Sequence, residues 1–418
     1  MPAGRLTLFV LGIGLGLAGQ ARSAEKTLAI VGATVVPSPT GRPLPNGAVL
    51  VQDGRVVAVG PAANVLVPDG AERIDGRGMT LLAGFWNCHV HLVGEEFQGA
   101  VSAPRERLSG ALERMFSRYG TVAVVDAGSF LADTVALRER IERGEFPGPR
   151  ILTAGEGIYP KGAIPIYLRQ SLTPEVVERL AQPTTPAEAR AEVERSLAGG
   201  ADATKLFTGT WLGGKETGLM PLDIVRAAAE ATHQAGKPVL AHPQSRAGLL
   251  AALDGGVDVL MHTAPDSGRW EPELVSRLVA AHLGLVPTLE LWGIEGRKAR
   301  MGSAQLESWV QSGVAQLRAF ASAGGQVLFG TDVGYHDVVD TGEELVRMAQ
   351  AGMGWRDILA SLTTAPARRF GAPGGGTILA GQPADLVLIR GDPLKDPRAF
   401  SRVVLTLRSG RVLYRAAK

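Results

Sequence analysis

The chain has 418 residues, enough to bury a large core and to hold one domain of about 250–300 residues beside a smaller one. Its 43 Lys+Arg against 41 Asp+Glu give a formal charge of +2, and the basic residues are dispersed. That pattern offers no electrostatic footprint for nucleic acid and no polybasic membrane patch. Hydrophobic residues make up 45%, glycine fills 54 positions and aromatics are few, the texture of an alanine- and glycine-rich α/β enzyme. A single cysteine, Cys88, excludes an internal disulfide.

The first 24 residues read as a secretory signal. Arg5 precedes an apolar stretch from Leu6 to Ala18, and small residues follow at Ala21, Ser23 and Ala24. The stretch is too short for a good membrane span. The segment predicts export, to a periplasm, with no stable membrane insertion after cleavage. "GIGLGLAG" within it imitates a dinucleotide fingerprint but has no strand before it and no acidic residue at the right distance after it. Residues 25–79 then show short strands broken by turn residues, with a strong hairpin signal at Asp53-Gly54. Residues 371–418 have the same texture and turn at Ser409-Gly410.

From about 80 to 370, apolar runs alternate with helical stretches such as "TPAEARAEVERSLAGG" and "PLDIVRAAAEATHQAG". Eight runs occur: "LLAGFWNCHVH", "TVAVVDAG", "RILTAG", "DATKLFTG", "KPVLAH", "VDVLMH", "LGLVPTLEL" and "QVLFGTD". The pattern predicts an α/β fold, a (β/α)8 TIM barrel, with a doubly wound sheet as the alternative. Neither β-rich end has enough strands to bury a core alone, so the two are expected to pair into a small β-sandwich.

The runs end in chemistry. His89 and His91 stand at i and i+2 and share a strand face, where two imidazoles can bind a transition metal or form a satisfied pair at a strand end. The fourth run carries Lys205, costly in a buried strand unless neutralised or paired. The fifth ends in His242, the sixth in His262 and the eighth in Asp332. In a barrel these strand ends converge on one mouth. His233 and His282 lie in amphipathic helical stretches and read as surface positions, whereas His336 sits in the loop after Asp332, within reach of a substrate. Alternation turns Cys88 away from His89, and it reads as a small buried hydrophobe. "GTWLGGKE" imitates a phosphate loop, but Glu216 replaces the required Ser or Thr, so it reads as the loop after the fourth strand.

Taken in order, "HVH" after "AGFWNC", "GADATK", "AHPQS", "GVDVLMH", "GTDVG" and the tail "TTAPARRFG…GTILAGQPADLVLIRGDPL" resemble the metal-dependent amidohydrolase superfamily, in its imidazolonepropionase-like and prolidase-like branch. The resemblance covers the chain beyond the signal. It implies the same barrel and end domain, and a centre of two divalent ions, most often zinc. His89, His91 and Asp332 would hold one ion and His242 and His262 the other, with Lys205, N-carboxylated, as the bridge. Paired metals lower the pKa of a water, and Asp332 would carry its proton to the leaving nitrogen. Many relatives have an acidic residue where this chain has Asn87, which implies altered hydrogen bonding around the ligands.

The implied activity is hydrolysis of a C–N bond in a small-molecule amide: a dipeptide-like compound, an N-acyl amino acid or a cyclic amide. Candidate substrate contacts on the loops are Tyr159, Lys161, Trp211, Arg269 with Trp270, Glu290, Trp292, Tyr335 and His336. An ester or lactone is the near alternative. A mononuclear deaminase or ring-opening enzyme with unmodified Lys205, and an inactive ligand-binding barrel, are the others. Retention of every ligand argues against the last. A homo-oligomer is compatible with the sequence.

Overall fold

The computed structural model describes residues 27–214, 216–372 and 374–417; the signal-type segment over residues 1–24 lies outside them. The turn-rich ends of the chain pair with one another. From the N-terminal end come β1 (Thr27–Val35), β2 (Leu44–Gln52), β3 (Arg55–Pro61), β4 (Glu72–Asp75) and β5 (Met79–Ala83). The barrel region follows with β6 (Phe85–Val90), β7 (Thr121–Asp126), β8 (Arg150–Thr153) and β9 (Thr204–Phe207). Next are the hairpin of β10 (Gly209–Gly213) and β11 (Glu216–Leu219), then β12 (Val239–His242), β13 (Val259–Met261), β14 (Gly284–Val286) and β15 (Gln326–Val327). The chain closes with β16 (Leu386–Arg390), β17 (Val403–Arg408) and β18 (Arg411–Arg415).

Where two stacked sheets were expected, hydrogen bonding runs continuously through one sheet of order β18-β17-β16-β5-β1-β2-β3, with β4 beside β1. β5 joins the two chain ends, antiparallel to β16 and in a short parallel contact with β1. The sheet curls until its far edge meets itself: Arg55 bridges Pro383, and the Ala384 N–H donates to the Gly54 carbonyl at 2.8 Å. The two hairpin turns read from the sequence have left-handed φ at both central residues, 49° and 77° at Asp53-Gly54 and 47° and 70° at Ser409-Gly410. Two-residue hairpins need that twist. Leu28, Ile30, Val49, Leu81, Leu386, Leu388 and Leu405 share the core inside the curl.

The run "LLAGFWNCHVH" is two strands. β5 belongs to the end sheet and β6 to the barrel, and they part at Gly84, where a Cβ would lie 2.5 Å from Val122. The remaining strands form two parallel arcs, β6-β7-β8 and β9-β12-β13-β14-β15. Backbone hydrogen bonds stitch the arcs at two seams. At one, Ile158 N–H donates to the Lys205 carbonyl and Phe207 N–H to the Ile158 carbonyl, each at 2.9 Å. At the other, Cys88 N–H reaches the Phe329 carbonyl at 2.7 Å, and Asp332 N–H the His89 carbonyl at 2.8 Å. The seventh run ends early, because Pro287 has no N–H for the ladder and a helix, Leu289–Lys298, starts directly after Thr288.

Two apolar layers follow. Trp86, Cys88, Ala123, Val125, Leu240, Val259, Met261, Val286 and Leu328, drawn from strands and their continuations, fill the interior. Val124, Ile151, Leu206, Val239, Leu260 and Leu285 face outward onto helices. The helix Pro186–Ala198 is capped as its sequence signals, with Thr185 accepting from the Glu188 N–H at 3.2 Å and Pro in its first turn. The helix Leu222–Gln234 buries Ile224, Val225, Ala228 and Ala231, and the chain leaves it through Gly236 at φ 68°.

One helix start is unusual. Thr288 precedes the helix Leu289–Lys298 without capping it, and the Glu290 N–H instead donates to the carboxylate of Glu344, 2.8 Å away on the helix Gly342–Gln350. Glu344 is fully buried, and burial pushes its carboxyl up to about 8 from an ordinary 4.5. Below the ordinary value, folded and unfolded states both hold the proton and burial costs nothing electrostatic. Between that value and about 8 only the unfolded state releases it, so stability falls as pH rises. Glu344→Gln keeps an acceptor for the helix and removes the titration. Denaturant unfolding should therefore show the variant gaining on wild type between pH 5 and pH 8, on the order of a few kcal/mol. A difference that stays flat across this range would mean that Glu344 titrates normally.

Candidate metal centre

All six residues of β6 are buried. Its pairing with β7 shifts register between Asn87 and Val90. Simple alternation therefore does not separate Cys88 from His89: Cys88 packs in the interior layer, and burial pushes its thiol pKa up. It remains a buried hydrophobe. Asn87 pins the irregular strand to the eighth run. Its Nδ2 donates to Thr331 Oγ1 at 2.8 Å, and its Oδ1 accepts from the Thr331 N–H at 3.2 Å. A carboxylate there could accept from both but donate to neither. Gly334 closes the same corner, at φ 100°, where a Cβ would collide with the His91 carbonyl.

The Asp332 Oδ1 lies 3.3 Å from His89 Nε2 and 3.0 Å from His91 Nε2. These approaches lack hydrogen-bond geometry: Asp332 Oδ1 and both ring nitrogens of His89 are buried without a hydrogen-bond partner. The His91 Nδ1 sits 2.8 Å from the Gly128 carbonyl, which can only accept, so Nδ1 carries the proton. In the neutral ring Nε2 is then bare, facing a bare carboxylate oxygen. Two acceptors at this distance require a cation between them, either a proton on His91 or a metal ion. Among the described residues, His89, His91 and Asp332 form the group whose ligand atoms all lie within 4.8 Å of one another. The donor set fits a divalent metal such as zinc.

The other predicted ligands join them. His89 and His262 ring centroids are 4.4 Å apart, His242 and His262 4.8 Å, and His89 and His91 5.4 Å. Lys205 on β9 stands in register with Leu240 of β12, 1% exposed, its Nζ 5.4 Å from the Phe207 ring. Burial pulls the Lys205 amine down to about 8, against opposing pulls from Asp332 and Asp126. Burial, followed by Lys205, holds His242 at about 4. Burial also keeps His89 and His262 well below the ordinary range, with Lys205 and the neighbouring histidines adding to the effect. At His91, burial disfavours the imidazolium, but Asp332 outweighs it and the net movement is upward. Neutral imidazoles are the metal-binding form.

Sequence reasoning passed over Asp126, the last residue of β7. It is fully buried and accepts from Thr153 Oγ1 at 2.7 Å, from Ser129 Oγ, and from the Leu92 N–H at 3.3 Å. Its charge is felt by both His91 and Lys205. An acid ending an apolar run, as in "TVAVVDAG", is the same signal that exposed Asp332.

The candidate substrate contacts divide. Tyr159 is buried and stacks on Phe207 at 4.4 Å, and Phe207 stacks on His242 at 5.0 Å. Trp292 packs edge-on to His262 at 5.9 Å. Tyr335 meets Tyr167 edge to face at 5.2 Å, with Lys298 Nζ 4.7 Å above its ring. These aromatics wall the centre, and Tyr167 was not foreseen. Lys161 and Arg269 are exposed, and Trp211 stands on the β10–β11 hairpin rather than on a loop. Trp270 is buried and donates to Ser267 Oγ at 3.0 Å. Glu290 is pushed up to about 7 by burial and then by Glu343 and Asp340, acids of the neighbouring helix and its approach. His336, expected to reach substrate, is tied into its own loop. Its Nε2 donates to the Thr331 carbonyl at 3.0 Å, and its Nδ1 accepts from the Val338 N–H at 3.2 Å. His233 pairs with Asp258 at 2.8 Å on the surface.

Comparison with known proteins agrees with this geometry. Residues 80–413 match the Amidohydrolase family, and residues 47–66 match the Imidazolonepropionase-like composite domain of bacteria. A segment of 73 residues is 41% identical to an imidazolonepropionase from Micrococcus luteus, a match spanning 17% of this chain and 17% of that protein. Among solved structures, a candidate prolidase from Bifidobacterium longum is 27% identical with a TM-score of 0.76, covering 93% of this chain and 95% of that one. A Xaa-Pro dipeptidase with methionine bound in its active site reaches a TM-score of 0.78 at 20% identity, over 94% of this chain and 100% of that one, which is a likeness of fold. Likeness at this coverage supports reading the two arcs as a (β/α)8 barrel. The chain belongs to the amidohydrolase family.

Proposed function

We propose that this protein hydrolyses the C–N bond of a small amide at a centre of two divalent ions, with zinc as the metal. The substrate class is a dipeptide, an N-acyl amino acid or a cyclic amide. The observation that carries the reading is His91 Nε2 held 3.0 Å from an unpartnered, buried Asp332 oxygen, with His89 Nε2 beside them. The likeness to the candidate prolidase supports amide cleavage in particular. His89, His91 and Asp332 would hold one ion, and His242 and His262 the other. Lys205 would bridge them as its carbamate, which replaces a buried ammonium with an anion. Its amine, held at about 8, is more readily neutral than an ordinary lysine, and the neutral form is the one that takes up carbon dioxide.

Bound there, the ions supply Lewis acidity and lower the pKa of a water. The chain's own contribution is positional. Asp332 receives a proton on its free oxygen and passes it to the leaving nitrogen. Phe207, backed by Tyr159, and Trp292 shield the imidazoles of His242 and His262 from bulk water. A mononuclear centre is the second reading, favoured because His89, His91 and Asp332 already form a complete three-residue group without Lys205. The pattern of residues 1–24 supports export to a periplasm. No helix among the described residues is long and apolar enough to cross a membrane.

Purified protein is expected to carry up to two transition metals per chain, with reversible loss of activity on chelation. His242→Ala should lower the content by about one ion, read by elemental analysis. Full metal in a His242/His262 double alanine variant would remove the second ion from the proposal.

Asp332→Asn keeps a side-chain oxygen but no longer carries the proton. Turnover on an amide identified from a substrate library should fall by roughly two to four powers of ten, the range for lost acid–base catalysis. Turnover within a factor of a few of wild type would take the proton-carrying role away from Asp332.

Lys205→Ala separates the bridge from a merely structural lysine. With a bridge, metal affinity and activity fall together, and acetate or propionate restores part of both by filling the vacated position. A destabilised variant that keeps its metal affinity would favour the mononuclear centre.

A further inference from the structure

We propose that Thr288 is a positioning residue, whose hydroxyl oxygen accepts the Nδ1 proton of His262 and holds the ring in the tautomer with a bare Nε2. The inference rests on reading His262 as a metal ligand. Thr288 is fully buried, and its Oγ1 lies 2.7 Å from His262 Nδ1. The hydroxyl donates its one proton to the Pro287 carbonyl at 2.9 Å. With that proton on Pro287, the oxygen accepts from His262 and Nδ1 is the protonated nitrogen, which is the arrangement proposed. A ring that carries its proton on Nδ1 leaves Nε2 as the nitrogen for a metal.

The backbone shows that this contact is built. Thr288 has φ 45°, a left-handed conformation that a β-branched residue rarely adopts. Among the described residues, nine non-glycine residues have positive φ, and four of them stand at successive strand ends on the barrel mouth: Gln244, His262, Thr288 and Asp332. Two of these are predicted ligands. The other two each touch a ligand ring, since Gln244 Oε1 lies 3.1 Å from His242 Nε2.

A threonine just before a helix ordinarily turns its oxygen onto the first helical amides. Here it does not, because Glu344 reaches across from another helix to accept from the Glu290 N–H. The pyrrolidine of Pro287 and the Thr263 N–H, which donates to the Pro287 carbonyl at 3.2 Å, fix the residue before it. With capping delegated to Glu344, the Thr288 hydroxyl is left to His262. Glycine would relieve the backbone but remove the oxygen, so the strained threonine has a reason to be there.

The test uses full-length protein with ¹⁵N-labelled histidine. Long-range ¹H–¹⁵N spectra of the metal-free form give each ring's tautomer, with His262 assigned through His262→Gln. Wild type should show His262 protonated at Nδ1, and His91, held by the Gly128 carbonyl, serves as an internal reference. Thr288→Val has the same shape and the same backbone preference but no acceptor. It should shift His262 toward the other tautomer and lower zinc affinity by about 10–100-fold, leaving His91 unchanged. Thr288→Ser should restore both.

A valine variant with the wild-type tautomer and wild-type zinc affinity would overturn the inference. So would wild-type protein whose His262 is protonated at Nε2, a result that stands even if the valine variant fails to fold. Wild type that shows the Nδ1 tautomer but binds no zinc would sink the metal-centre reading and leave the hydrogen bond intact. The two failures are therefore distinguishable.

Discussion

An imidazole nitrogen held 3.0 Å from a buried carboxylate oxygen without a hydrogen-bond partner is the constraint around which this structure is arranged. Either a proton on His91 or a bound cation can supply the positive charge that this contact needs. Lys205 is a lysine whose charge these groups feel, yet burial weakens its hold on a proton, and an ammonium there pushes His89 and His242 further toward neutrality. Four histidines, a lysine and an aspartate would be a poor core on their own. An ion that satisfies His91 and Asp332 at once turns the same cluster into a cross-link between the first and eighth runs. Its binding energy would then be felt as folding energy.

Meeting that constraint obliges the strands to break their own period. The interior layer takes Trp86, Cys88, Val259 and Met261 on one alternation, whereas His89, His91 and His262 fall on the other. β6 reconciles the two with a register shift, and β13 with a left-handed residue at His262 itself. Asn87 and Thr331 hold the first of these distortions in place. The seams between the two arcs run through the same segments: His89 and Asp332 are hydrogen-bonded partners at one, and Lys205 is a partner at the other. The pairing is irregular at His89, His91 and Asp332, whereas Lys205 and His242 project from regularly paired β9 and β12.

This separates what could be read from the sequence from what could not. Strand ends bearing His, Lys or Asp were legible because a polar residue closing an apolar run has few uses in a core. Hairpin turns at Asp53-Gly54 and Ser409-Gly410 were legible because only certain residues tolerate that backbone. The joining of the two chain ends was foreseen, but its form as one curled sheet depends on β5, whose residues read as part of the next strand until Gly84 is seen against Val122. Cys88 was placed by alternation, which a register shift defeats. His336 was credited with reach that its own loop uses up. Asp126 carried a legible signal and was missed. Thr288 carried a misleading one, since it sits where a helix cap belongs.

The case of Thr288 shows how a site's demands travel outward through ordinary interactions. Turned toward His262, Thr288 makes no cap bond to its helix, and the cap comes from elsewhere. Glu344 provides it from a separate helix, but only by entering a fully buried position where its ionised form is disfavoured. Glu290, Glu343 and Asp340 crowd the same region with further negative charge. The electrostatic cost of orienting His262 is thus carried by carboxylates on a neighbouring helix, where a proton can relieve it. Glu344 fixes the helix start next to Thr288 from a separate helix, so the residue that touches His262 is held from both sides.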